Sequence, residues 1–327
     1  MFFKSNPTPA AVYVPSLLTN MAIRQLQLTG TVYDKMFPYC PVQDQAGYYA
    51  KFNKGDLARA ITMPREAGKH SEIGFDVDLS GSYAIKTFGA KKTYSNVDAS
   101  AYRLPVNRDQ AATQLLMRAM KLRREKQFVA AAVTTNVWTG QADQAGGTDF
   151  TKWDDPSSTP IEQVRSAASA IQLASNGWRP NVGLFGRQVI DKLVDHPEIV
   201  ERLGTGATSG AMPRLVMLET LARIFELDRV VVGDFVEETA AKGATSSPAF
   251  TVGKSVVLAY VTDSPSVETP SAGYTFTWQF LGANNEGVMV RKGVNTEDNY
   301  EYYTVDHGED FKVVATDMGC YFSNVVS

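Results

Sequence analysis

The feature that most constrains this fold is a segment from Gly47 to Ser95 with too few consecutive apolar positions to build a core of its own. Two β-rich ends, Tyr48 to Phe52 and Tyr83 to Tyr94, enclose a middle rich in glycine, proline and charged residues. Loops of this length are usually functional or disordered. The pattern predicts a long projecting hairpin.

The N-terminal region also lacks the pattern of a compact fold. Pro7, Pro9 and Pro15 are mixed with small and polar residues, so no packed structure is expected before about Leu17, and an extended arm is the simpler interpretation. Ordering an arm and a hairpin costs conformational entropy, which apolar surface supplied by neighbours can offset. The pattern therefore favours a chain that is completed by other copies of itself.

A long amphipathic helix is predicted from a cap at Asn107 to about Val133. The positions expected to form its core-facing stripe recur at three- and four-residue spacing: Leu115, Ala119, Leu122, Lys126 and Val129. The opposite face would then carry a basic cluster, with Arg118, Lys121 and Arg124 facing a lumen or a partner. A simply solvated face is the alternative.

Charge is distributed unevenly although the net charge is only -3. Residues 103–126 hold seven basic and two acidic side chains, a balance of +5, whereas residues 286–327 hold three basic and eight acidic ones, a balance of -5. Complementary contact within or between subunits and two solvated faces both remain open.

The rest of the chain predicts an α+β fold. A turn-rich connection at 139–158 precedes an alternating helix and strand region, and a run of strands from Tyr274 to Val326 ends the chain. No signal peptide or membrane-spanning stretch is recognised. The acidic balance argues against a protein built to grip nucleic acid.

The residue types present do not support a catalytic, metal or cofactor site. The three histidines have no second histidine at metal-ligand spacing, and His196 is explained by the last carbonyls of a helix end. Cys40 and Cys320 are expected to be buried thiols. No catalytic residue, metal site or cofactor is predicted, although the pair Asp154 and Asp155 leaves open a metal-ligand alternative to its solvated reading.

Four stretches carry a resemblance to a known family. They are R-P-N-V-G-L-F-G-R-Q-V-I-D-K-L-V-D-H-P-E-I at Arg179 to Ile199, L-A-R-I-F-E-L-D-R-V-V-V-G at Leu221 to Gly233, F-K-V-V-A-T-D-M-G-C-Y-F-S-N-V-V at Phe311 to Val326, and M-R-A-M-K-L-R-R-E-K at Met117 to Lys126. Together with the order of parts, they resemble the Hong Kong 97-type major capsid proteins of tailed bacteriophages.

The resemblance implies a non-enzymatic shell protein, found in the virion capsid and made in the host cytoplasm, that self-assembles into an icosahedral container for double-stranded DNA. The implied parts are an N-terminal arm at 1–46, an extended loop at 47–95, a peripheral domain with a long spine helix at 96–158, an α/β axial domain at 159–272 and the closing peripheral strands at 273–327. Residues expected to contact neighbouring subunits are Tyr49, Lys51, Lys86, Lys91 and Tyr94.

The same resemblance implies particular partners. Hexamers and pentamers of the chain would form the shell, with a separate scaffolding protein, a portal and a decoration protein as further partners. The genome would be enclosed without sequence-specific binding, and no membrane would be involved. Deleting Tyr49 to Tyr94 is expected to leave a folded subunit that makes no shells.

Two alternatives are kept. An encapsulin-like nanocompartment protein would share the fold but enclose cargo enzymes, and a metal-dependent hydrolase would use the acidic pairs as ligands. Particles seen by electron microscopy and assayed for nucleic acid separate the first. A stable monomer whose turnover depends on Asp154 or Asp155 would favour the second.

Overall fold

The computed structural model describes residues 31–52, 77–95, 108–204, 214–241, 243–263, 270–281 and 286–327. Most of the predicted arm, the middle of the predicted hairpin and the predicted cap Asn107 lie outside these residues. The helices are α1 Tyr33–Met36, α2 Arg108–Ala132, α3 Pro160–Ala174, α4 Arg187–Leu193, α5 Pro197–Gly204 and α6 Arg214–Ile224. No described helix is long and apolar enough to span a membrane.

Fourteen strands are described in the same residues. In chain order they are β1 Tyr39–Val42, β2 Ala46–Phe52, β3 Val77–Ala84, β4 Lys86–Ser95, β5 Gln144–Ala145, β6 Val182–Gly186, β7 Arg229–Gly233, β8 Val236–Glu238, β9 Pro248–Phe250, β10 Val256–Ala259, β11 Gly273–Trp278, β12 Val288–Asn295, β13 Tyr300–Val313 and β14 Gly319–Ser323. The predicted mixture of helices and sheets is confirmed.

The first sheet is organised around the long strand β13. Strands β11 and β12 pair antiparallel with successive parts of it, and β1 adds in parallel to β11. Strand β4 lies along the opposite edge of β13, with Lys86 facing Glu309 at one end and Tyr94 facing Glu301 near the other. Residues 86–95, expected in the projecting loop, therefore form an edge strand of this sheet.

The projecting hairpin consists of β2 and β3 and forms a two-stranded sheet of its own. Ala46 faces Ala84 at its base, and a bulge interrupts the register between Tyr49 and Lys51. Reciprocal bonds close the base: the Ile85 N–H donates to the Gln45 carbonyl at 2.8 Å, and Gln45 Nε2 donates to the Ile85 carbonyl at 3.0 Å. The break at Ile85 divides the single predicted strand Tyr83–Tyr94 into two.

Helix α2 packs across the first sheet, but with a different face from the predicted one. The side chains buried between them are Ala112, Leu116, Met117 and Met120 of α2 with Val288, Val290, Tyr303 and Val305 of the sheet. Leu115 and Ala119 are instead exposed. The predicted core-facing stripe is wrong at these two positions, since the inner side of α2 instead includes Lys121, Arg124 and Glu125, whereas Val129 of the stripe does pack against buried residues.

The second sheet has the order β5-β14-β10-β6-β7, with β6 and β7 parallel and β10 antiparallel to β6 and β14. Helices α3 to α6 supply apolar side chains to its core, and Trp153 is fully buried among them. The C-terminal strand β14 belongs to this sheet, not to the first one as the resemblance implied. Residues 319–322 are all buried, as expected of a strand covered on both faces.

The two sheets are joined by one further cluster of buried residues. It combines the segment Val32 to Phe37, the second half of α2 and side chains of the second sheet such as Leu184. The Phe37 and Phe128 rings meet edge to face with their centroids 5.1 Å apart. The segment from Thr31 onward is thus part of the packed body and not of a free arm.

Candidate assembly surfaces

The base of the hairpin rests on the first sheet through stacked aromatic rings. Tyr83 and Tyr49 lie on Phe276 of β11 with centroids 4.6 and 5.5 Å away. Two glycines make room for them, since a Cβ on Gly47 would lie 2.7 Å from the Tyr83 hydroxyl and one on Gly81 would lie 2.4 Å from the Tyr49 ring. Aromatic residues facing strand glycines stabilise a hairpin that has little other support.

Beyond this base the hairpin presents apolar side chains to solvent. Tyr48 is 77% exposed and Leu79 is 63% exposed. The register shift between Tyr49 and Lys51 lies between Gly81 and Asp78 on β3, so Leu79 stands at the bulge beyond the stacked rings. Tyr48 alternates with Gly47 and Tyr49 and so lies on the face opposite the stacked rings, and nothing in the described residues covers Tyr48 or Leu79.

The predicted inter-subunit contact residues lie in different settings. Tyr49 packs on Phe276, Tyr94 meets Tyr303 edge to face at 6.0 Å, and both are only partly buried. Lys86 is exposed on β4, and Lys91 Nζ lies 4.6 Å from the Tyr302 ring centroid. The side chain of Lys51 lies outside the described part of the chain.

The predicted basic face is wrong for two of its three members. Arg118 is exposed, but Lys121 is only 2% exposed and Arg124 is fully buried. These two point toward the sheet and the segment before β1, so neither can face a lumen or a partner. Sequence reasoning placed them outside because long cations are almost never fully buried without partners.

Arg124 finds those partners in a buried ionic cluster between α2 and β13. Its Nε lies 2.6 Å from Glu309 Oε2, and its Nη2 donates to the Glu286 carbonyl at 2.6 Å. His307 lies on the other side of Glu309, with Nε2 at 3.7 Å from Oε1. Part of the predicted charge complementarity between residues 103–126 and residues 286–327 is therefore satisfied within one subunit.

The protonation states in the cluster follow from burial. Burial acts to lower the pKa of Arg124, but the Glu309 carboxylate outweighs it and keeps the pKa above its usual value. Burial, helped by Arg124 and Arg123, lowers the pKa of His307 to about 3, so the imidazole is neutral near pH 7. Burial raises the pKa of Glu125 to about 8, and its Oε2 accepts the Val32 N–H at 3.4 Å.

His196 and Asp155, two residues that the sequence offers for chemistry, have structural roles. His196 Nδ1 accepts the Glu198 N–H at the start of α5, which leaves Nε2 to donate toward the Asp155 carbonyl at 3.2 Å. The imidazole thus caps the start of the next helix, not the last carbonyls of α4. Asp155 Oδ1 accepts the Ser157 N–H at 2.9 Å in a tight turn. Across the described ranges, no group of three or more His, Cys, Asp or Glu residues is arranged to hold a metal ion.

Comparison with known proteins connects these surfaces to a role. No protein-family model matches the sequence. The chain is 27% identical over 308 residues to the major capsid protein of Pseudomonas phage JBD67, which covers 90% of this chain and 91% of that protein. It is also 27% identical to the major capsid protein of Burkholderia phage BcepMu, over 80% of this chain and 82% of that one.

Over most of its length the chain is similar to phage major capsid proteins. Its work is that of a structural head-shell subunit and not of an enzyme. In fold, the subunit is similar to a phage-related protein from Bordetella bronchiseptica RB50, with a TM-score of 0.73, 22% identity, and coverage of 96% of this chain and 98% of that one.

The fold is also shared with an encapsulin. The holo-SrpI encapsulin of Synechococcus elongatus matches with a TM-score of 0.54 and 14% identity, covering 99% of this chain and 94% of that one. A likeness at this identity concerns the fold alone, whereas both curated relatives are capsid proteins. The encapsulin alternative is therefore the weaker one.

Tyr48 and Leu79 were not selected from the sequence, and they are the exposed large apolar side chains among the described side chains of β2 and β3. A strand pattern could have found Tyr48. Because side chains alternate along a strand, Tyr48 and Tyr49 must lie on opposite faces of β2, so only one of the two rings can pack on the body of the subunit.

Proposed function

We propose that this capsid subunit assembles, as hexamers and pentamers of the Hong Kong 97 type, into an icosahedral shell around double-stranded DNA. The observation that carries the proposal is the exposure of two large apolar side chains on the β2–β3 hairpin, Tyr48 and Leu79. Burying Tyr48 and Leu79 against a neighbour would contribute about 1.5–3 kcal/mol each. Because the contact recurs at every subunit of a closed shell, modest contributions sum to a stable container.

The proposed division of the chain follows the sheets. Residues up to about 46 form the arm and its attachment, and the extended loop runs from 47 to Ala84, where β4 begins the peripheral sheet. Helix α2 is the spine helix, and the second sheet with α3 to α6 is the axial domain. We assign β14 to the axial domain, since it pairs with β10 and β5.

The proposed partners follow from the role of a container. A scaffolding protein, a portal and a decoration protein would act with the shell in the virion, after synthesis in the host cytoplasm. DNA would be enclosed without sequence-specific binding, because a chain with a net charge of -3 offers no basic excess for tight phosphate contacts.

The first test is expression of the chain, alone and with its scaffold, followed by electron microscopy and assay of the particle contents. Closed particles of capsid geometry that take up DNA with the packaging machinery support the proposal. Particles that instead copurify with a cargo enzyme and never hold DNA indicate an encapsulin. A subunit that stays monomeric under all assembly conditions contradicts both.

The hairpin is tested by point substitution, because deleting Tyr49 to Tyr94 would also remove β4 from the first sheet. The double variant Tyr48→Asp/Leu79→Asp places charges at exposed positions and should leave the subunit folded while abolishing shells. Leu173→Asp, at a position 81% exposed on α3, is the matched control. If the control variant loses particles to the same extent, the loss is not specific to the hairpin, and its proposed role in assembly is contradicted.

A further inference from the structure

Helix α2 has an apolar stripe on the side that faces away from the sheet. Leu115 is 55% exposed, Ala119 is exposed, and Ala111 and Leu122 are only half-buried. These positions repeat at three- and four-residue spacing and so share one face. Arg118 lies on the same side and, among the described residues, forms no ion pair. We call these five residues the outer face of α2.

The other half of α2 is covered by the chain itself. Val32 lies over Glu125, and the Phe37 ring meets the Phe128 ring. The outer face is thus the part of α2 that the described chain leaves open, and it combines aliphatic surface with an unpaired guanidinium. A surface of that composition fits a partner that presents an apolar side chain beside carboxylates.

The turn between β12 and β13 presents that combination. Val294 is 56% exposed, and Glu297 and Asp298 follow it at the exposed end of the turn. Neither Glu297 nor Asp298 forms an ion pair within the described residues. We call Val294 and these two carboxylates the acidic tip.

The acidic tip is held in one conformation by Asn295. Its Oδ1 accepts the N–H groups of Glu297 and Asp298 at 2.9 and 3.2 Å, and its Nδ2 donates to Asp298 Oδ2 at 3.0 Å and to the Tyr300 hydroxyl at 3.1 Å. Asn299 takes the left-handed conformation, with φ of 49°, that completes the turn. A turn braced in this way loses little further entropy on docking.

We propose that the acidic tip of one subunit docks on the outer face of α2 of a second copy. In that contact Val294 covers Leu115, and Glu297 and Asp298 face Arg118. The tip cannot make the contact within its own chain, because β12 and β13 lie against the opposite, buried side of α2, where Lys292 of β12 bonds Asp109 at 3.1 Å. The inference rests on the proposed shell and names a second contact within it.

The contact joins two different patches of the same chain, so it is heterologous and propagates from copy to copy until a ring or shell closes. It is independent of the β2–β3 hairpin, whose exposed side chains lie on other strands. Two separate contacts per neighbour would fix the relative orientation of subunits, which a single hairpin contact does not.

The test is a charge exchange in the full-length chain. Arg118→Glu alone, and Glu297→Arg/Asp298→Arg alone, should each lower the fraction of protein in sedimenting particles about fivefold or more, because each places like charges opposite one another. Combining all three substitutions restores opposite charges and should return the yield to within about twofold of the wild type. Thermal melting of the dissociated subunit checks folding.

Matched controls come from α6, where Arg223→Glu and Glu219→Lys reverse charges at exposed positions and should leave the yield unchanged. Two results would overturn the inference. Single reversals that assemble normally exclude the contact, and losses that the combined variant does not repair assign the outer face to another occupant, such as residues 1–30. Wild-type chain that forms no particles would instead count against the proposed function.

Discussion

Removing the Arg124 guanidinium should strongly destabilise the subunit, even though no interface or ligand is touched. In Arg124→Met, the Glu309 carboxylate stays buried without its cation at 2.6 Å, and the Glu286 carbonyl loses its donor. Breaking a buried ion pair from one side costs about 3–5 kcal/mol. For 327 residues the entropy of unfolding is about 0.7 kcal/mol per kelvin. The melting temperature should therefore fall by about 4–7 °C.

Denaturant unfolding of the dissociated subunit at pH 7 measures the free energy directly, and a double-mutant cycle isolates the pair. Glu309→Gln alone should cost a similar amount, and the double variant should cost less than the sum by about 2 kcal/mol. The control is Arg165→Met, which breaks an exposed pair with Glu226 whose side chains are 48% and 47% exposed. It should cost less than about 1 kcal/mol. Equal losses in Arg124→Met and Arg165→Met, or additive effects in the cycle, would refute the reasoning.

Three more predictions concern pH and packing. The folded pKa of Glu125, about 8, lies above the usual value of 4.5, so the free energy of unfolding falls as pH rises between these two values. Glu125→Gln should flatten that decline in denaturant unfolding curves measured from pH 5 to 9. The folded pKa of His307, about 3, lies below the usual 6.5, so the free energy of unfolding falls as pH drops below about 6.5. His307→Gln should remove the part of this acid destabilisation that comes from the imidazole. Gly186→Ala should lower the free energy of unfolding by about 3 kcal/mol or more in denaturant unfolding, because its Cβ would lie 1.9 Å from the Gly253 carbonyl oxygen. Gly177→Ala has open space around its Cβ but a φ of 120°, and it should cost only about 1 kcal/mol.

Much of the element order was predictable from the sequence, because it depends on local patterns. Helix α2 was expected from Asn107 to Val133 and is described from Arg108 to Ala132, and β6 and β7 lie where short apolar runs predicted them. These elements have strong periodicity or β-branched runs bounded by turn residues. A local pattern of that kind needs no knowledge of the partner that covers it.

Pairing between distant strands was not predictable in the same way. The run from Tyr83 to Tyr94 reads as one strand, yet β3 returns to the hairpin and β4 joins β13, more than 200 residues later. The terminal strand β14 was placed with the preceding strands, but its continuous burial suits the second sheet. Alternation within a strand shows which residues share a face and says nothing about which sheet receives it.

The orientation of α2 shows most clearly where sequence reasoning fails and why that failure is informative. The prediction that the apolar face of a helix is buried assumes that one subunit covers all of its own apolar surface. On that assumption the stripe through Leu115 and Leu122 was expected to face the core. In the structure Leu115 faces outward and Leu122 is only half-buried. Lys121, Arg124 and Glu125 are buried instead, where Arg124 is paired with Glu309 and Glu125 accepts the Val32 N–H. Burying charges is costly, but the same side of α2 buries Leu116, Met117 and Met120 against the first sheet, so the subunit keeps this orientation although it leaves Leu115 uncovered. Under the proposed docking a second copy covers the outer face, and assembly then supplies the burial of Leu115 that folding of the single chain leaves out.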